Sequence, residues 1–161
     1  MKEVYRELAE RIRGELEDLQ RVVSRATIAW NRAQHSPDEP WYLDSVALNL
    51  HGFYSGLERL FELIARQVDL NTPSGETWHR ELLRQMAKDR PDVRPGVLGE
   101  STVARLDEFR RFRHLVRNLY TMNLDSERIS GLLSSLPRLW ETVCVEMLAF
   151  ADFLDQLAQE D

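Results

Sequence analysis

Residues 111–120, RFRHLVRNLY, set three arginines, a histidine, an asparagine and a tyrosine within one short stretch. Arginine holds an anion through a planar fork of N–H donors, and imidazole takes up and releases protons near neutral pH. Together they suit a site that binds a phosphate and moves a proton beside it. On a helix advancing about 100° per residue, with Arg113 at zero, Tyr120 falls at about −20°, Arg117 at about 40° and Arg110 at about 60°. His114 follows at about 100° and Asn118 at about 140°. Phe109, Phe112, Leu115, Val116 and Leu119 take the opposite arc, so the helix has one apolar and one crowded polar face. Arg113 stands on their border, where its stem can pack while its guanidinium is held.

The elements that must carry this face are all helical. Val4, Leu8, Ile12, Leu16, Leu19, Val23, Ala26 and Trp30 recur at threes and fours, the period of a long amphipathic helix. Pro37 and Pro40 break it, and a second helix starting near Trp41 runs through Val46, Leu50, Phe53, Leu57, Leu60, Ile64 and Val68. Gly52 and Gly56, four apart on that helix, are either a mild defect or a place where another backbone comes close, and close packing is expected. His51 lies near that face, read as a packed or surface residue or as a functional one. After the break at residues 71–75, Ser74 or Thr77 is expected to cap a short helix with Trp78, Leu82, Leu83 and Met86. His79 and Arg80 on it either join an anion site or lie on an ordinary exposed face. Residues 88–99 hold Pro91, Pro95, Gly96 and Gly99 and form the longest irregular segment, a lid or rim to the site or a plain connection. Ser101 or Thr102 then starts the helix bearing the arginines, which is expected to end within residues 120–123. Asp125 is expected to cap a short helix with Ile129, Leu132 and Leu133, which Pro137 divides from a last helix along Trp140, Val143, Met147, Phe150 and Leu154. No segment alternates as a strand would. The expectation is an all-α antiparallel bundle of four long helices and shorter pieces.

A chain of 161 residues is expected to form one domain with one substantial core. Its net charge of −6 argues against broad nonspecific nucleic-acid binding and leaves a local patch over residues 105–117, read either as phosphate-binding or as a solvated face balanced by Asp107 and Glu108. Cys144 is the single cysteine, which excludes an internal disulfide and a cysteine-based metal site, and its place among Trp140, Val143 and Met147 reads as core. The charged start of the chain is unlike a signal peptide and no apolar run reaches membrane-spanning length, so a cytoplasmic protein without membrane contact is expected. No Gly-rich phosphate loop, no spaced His/Glu metal pattern, no serine elbow and no facing Glu-x-x-Glu pairs are present. No metal and no cofactor is therefore expected.

The run LDEFRRFRHLVRNLYTMNLD over residues 106–125, with YLDSVALNLHGFYSGLERLFELIA over 42–65 and WHRELL over 78–83, resembles the HEPN superfamily and, within it, the HepT-like toxins. In that signature an Arg is followed by a polar residue, then one or two turns on by a His, often with a Tyr shortly after. Arg113, His114 and Tyr120 take those places, but Asn118 stands where the His belongs.

The resemblance implies a toxin component of a toxin–antitoxin system acting as a metal-independent endoribonuclease, or a descendant that keeps RNA or nucleotide binding. The alternative is a noncatalytic helical module that binds a nucleotidyltransferase partner. Carried over, Arg113 binds phosphate with support from Arg110 and Arg117, and the place of the base falls on Asn118, which does not titrate near neutrality. His114, one turn earlier, is the candidate substitute, or else only the polar residue of the signature. Tyr120 matches the tyrosine to which a nucleotidyltransferase antitoxin adds AMP, or is an ordinary core-edge tyrosine. The resemblance also implies a homodimer with its cleft shared between subunits.

Overall fold

The computed structural model describes residues 2–117 and 125–160. Those residues form five α-helices and no strand: α1 Lys2–His35, α2 Pro40–Ile64, α3 Trp78–Met86, α4 Glu100–Arg117 and α5 Ser126–Gln159. The all-α bundle is thus the observed architecture.

α1 buries Leu8, Ala9, Ile12, Leu16, Leu19, Val23, Ala26 and Ala29, the stripe its spacing predicts. It lies along α2 on one side and α5 on the other. Arg13 reaches Asp152 and Asp155 of α5 at 2.8 and 2.6 Å, while Trp140 Nε1 donates to Gln20 at 2.6 Å, so α1 and α5 run antiparallel. Gly56 packs against the Leu19 side chain of α1, a side chain and not a backbone coming close. A Cβ there would sit 2.6 Å from Leu19 Cδ2, whereas at Gly52 it would meet nothing within 4 Å. Of the two glycines, one serves close packing. Phe53 joins the layers, edge-on to Phe109 of α4 at 5.5 Å and to Trp140 of α5 at 5.7 Å.

Two expected element boundaries differ, at Pro137 and at the start of α4, and two helix ends are built differently from the plain pattern. Pro137 does not divide the last helix: α5 is continuous over 34 residues with the proline inside it. Its ring is exposed, and Leu133, Leu136, Leu139 and Trp140 around it are all buried, so packing of both halves on one core outweighs the lost hydrogen bond. Thr77 occupies the N-cap of α3 without a side-chain cap bond. α4 starts at Glu100, and its first turn is satisfied from outside: Glu146 of α5 accepts from the Gly99 amide at 2.5 Å and from the Thr102 hydroxyl. α2 gives way to a π-helical turn at Ala65–Asp69, closed by Leu70 at φ 54°. Asp125 caps α5 as expected, accepting from the amides of Glu127 and Arg128. The expected end of α4 lies outside the described residues.

The irregular segment over residues 88–99 is fastened down. Arg94, buried, grips Asp69 with Nε to Oδ1 at 2.6 Å and Nη2 to Oδ2 at 2.8 Å. Its remaining donors go to the carbonyls of Gln85, Lys88 and Pro95, and Gln85 closes the cluster on Asp69 at 2.7 Å. No described helix is long and apolar enough to cross a membrane.

Candidate functional site

Glu58 stands on the buried side of α2 between Tyr54, Leu57 and Phe61, with a side chain only 5% exposed. A carboxylate in that position requires strong donors. Arg113 Nη1 of α4 donates to its Oε1 at 2.9 Å, and His79 Nδ1 of α3 lies 2.8 Å from its Oε2. Arg113 also reaches the Ser55 hydroxyl at 3.4 Å, and its guanidinium carbon lies 5.6 Å from the centre of the Tyr54 ring. Three helices therefore meet on one carboxylate.

Arg113 is the held cation that its border position predicts, and what holds it is Glu58. Its charge is matched inside the protein. Burial, then the Glu58 charge, pushes the Tyr54 phenol well above its usual range, so this side chain stays neutral beside the pair. The indole of Trp78 stacks on the His79 ring at 3.6 Å between centroids and fixes its plane.

His79 lines a cavity of about 450 Å³ between the start of α3 and the polar face of α4. Arg80, Arg110 and His114 line it too, with Glu76 and Thr77 at its edge. Arg110 is partly neutralised by Asp107, which accepts from it at 2.6 Å and from Arg111 Nε at 2.9 Å. Burial works against the Asp107 carboxylate, but these bonds and charges outweigh it and hold the group below the usual carboxylate range. The patch on α4 is thus in part the balanced face that its acidic residues foretell. Two arginines and two histidines still converge on one concavity with a single carboxylate among them.

The sequence-derived site residues divide accordingly. Arg110 and His114 share the cavity, and Arg113 lies behind it on Glu58. Arg117 ends α4, and nothing of its side chain is described. Asn118 and Tyr120 lie outside the described residues. The segment over residues 88–99 does not line the cavity; Gly75, Glu76 and Thr77, before α3, do. His51 is half-buried on α2 and absent from the lining. Cys144 packs half-buried against the core, and burial raises its thiol, as befits a structural cysteine.

Sequence reasoning missed Glu58. The signal was present: Tyr54, Leu57, Glu58 and Phe61 follow the i, i+3, i+4, i+7 spacing of one buried stripe, where a charge demands a partner.

A family model described as HepT-like protein matches residues 45–154. That span takes in α3, α4, Glu58 and the whole cavity lining. Neither curated proteins nor solved structures yield a match.

Proposed function

The chain belongs to the HepT-like family, and from that premise we propose that it is the toxin of a toxin–antitoxin pair, a metal-independent endoribonuclease acting at the cavity between α3 and α4. The observation that carries this reading is the convergence of Arg80, Arg110, His79 and His114 on one concavity. Two guanidinium groups there hold a phosphate, and imidazoles supply proton transfer to and from its ester oxygens. Arg113 fixes the floor of the site through Glu58, while the resemblance gives Arg117 a supporting role in phosphate binding and Asn118 the place of the motif histidine. Tyr120 is the AMP acceptor for a nucleotidyltransferase antitoxin. The added charge and bulk oppose an RNA phosphate in the same site.

The working unit in this reading is a homodimer whose two α4 faces adjoin. One cavity supplies half a groove for an extended RNA, and a twofold axis doubles the cationic surface with no further residues.

The second reading, a noncatalytic module that binds a nucleotidyltransferase, is favoured by one feature: Asn118 stands at the motif histidine. A mixed RNA pool incubated with the full chain in EDTA separates the two. The ribonuclease reading predicts fragments ending in 2′,3′-cyclic phosphate and 5′-hydroxyl, with cleavage weakened at least tenfold by Arg110→Ala. An RNA pool left intact sinks that reading and favours the module.

A further inference from the structure

The geometry points to His79, oriented by Glu58, as the general base of the cleavage site, with His114 of the same cavity as the proton donor. This rests on the ribonuclease reading above.

The tautomer follows from the partners. Glu58 is buried with its Oε1 on Arg113, and a carboxylate only accepts hydrogen bonds. A bare Nδ1 lone pair 2.8 Å from Oε2 would oppose the oxygen's own lone pairs, so Nδ1 carries the hydrogen and donates it to Glu58. Arg113 Nη2 lies 3.2 Å from the same nitrogen. A guanidinium N–H donates to that nitrogen only when Nδ1 is bare, the opposite tautomer; the shorter contact, 2.8 Å to Glu58 Oε2 against 3.2 Å to Arg113, favours the hydrogen on Nδ1, with Arg113 donating to Oε1 and His79 to Oε2. The neutral ring is left with its lone pair on Nε2, on the edge away from Glu58. Trp78 stacks on the ring, and the side chain, 26% exposed, lines the cavity. A histidine whose inner nitrogen is tied to a buried carboxylate and whose outer nitrogen accepts is arranged as a base.

The step balances without a further reagent. As the ribose 2′-oxygen attacks phosphorus, its proton passes to His79 Nε2. The new imidazolium keeps its hydrogen bond to Glu58. The bond between phosphorus and the 5′-oxygen breaks, and that oxygen takes a proton from the protonated ring of His114. Arg80 and Arg110 stand over the phosphate, and water then returns both rings to their starting forms. The base thus comes from α3, outside the stretch where Asn118 replaces the expected histidine.

The test uses the full chain, a mixed RNA pool and EDTA. His79→Ala is expected to lower the cleavage rate at least a hundredfold, as loss of a general base does, and added imidazole is expected to restore part of it through the vacated space. Glu58→Gln is expected to lower the rate while the nitrogen-15 spectrum of His79 shifts from one tautomer to a mixture, the mark of a positioning residue. His35→Ala, on the far end of α1, serves as the unchanged control. A parent that cleaves, with His79→Ala cleaving equally fast, overturns this assignment and leaves the ribonuclease reading standing. An inert parent overturns both. Independently of activity and of how the variants fold, nitrogen-15 spectra of the parent must show His79 protonated at Nδ1; a ring protonated at Nε2 alone overturns the assignment.

Discussion

Glu58 and Asp69 are carboxylates almost wholly removed from water, each retained by an arginine from a distant part of the chain, and they do different work. Asp69 and Arg94, with Gln85 and three backbone carbonyls, form a closed cluster that clamps the segment over residues 88–99 to the π-helical turn after α2. Glu58 spends one oxygen on Arg113 and the other on a histidine that reaches the surface. The first cluster is closed; the second transmits the position of a buried charge to a cavity wall. Removing one partner of a closed buried pair strands the other, so Arg94→Met is expected to cost about 3–5 kcal/mol, measured by urea unfolding. A loss below about 1 kcal/mol would show that Asp69 finds other donors. Neither pair announces itself in sequence as a pair. Each acid can be found as a charge on an apolar stripe, but its arginine lies 55 residues away for Glu58 and 25 for Asp69, and no local periodicity connects them.

At the level of the elements, the apolar periods of α1, α2 and α5 were legible because each helix buries one stripe on one core. Boundaries were less so. Pro137 is read locally as a stop, yet tertiary packing carries α5 through it. Thr102, in place to open α4, instead gives its hydroxyl to Glu146 of α5, a partner 44 residues away. His79 shows the same limit in the site. Its residue type and its neighbour Arg80 mark an anion site only faintly, and its meaning depends on α3 being laid against both α2 and α4. Arg110 and His114, on one helix with fixed angular spacing, were legible as cavity residues for the opposite reason.

For the molecule as a whole, the net charge of −6 coexists with a cavity rich in cationic and titratable side chains, so on the proposed function an RNA would be met at one place and repelled over much of the remainder. Pairing of two chains through their α4 faces would bring two such places together, and Leu115 on α4, 40% exposed, would be covered by the partner. Light scattering at micromolar concentration is expected to give twice the mass of the chain, reduced to one by Leu115→Glu. A monomeric parent would remove the shared groove from the account. On the proposed function, the cavity between α3 and α4 is where RNA binds. That placement is tested most directly by titrating the full chain, with nitrogen-15 in its histidines, with a 2′-O-methylated RNA pool that the proposed chemistry leaves uncut. The signals of His79 and His114 are predicted to move together and saturate while that of His35 stays in place. Saturable binding that leaves both His79 and His114 unmoved, or no binding at all, contradicts it.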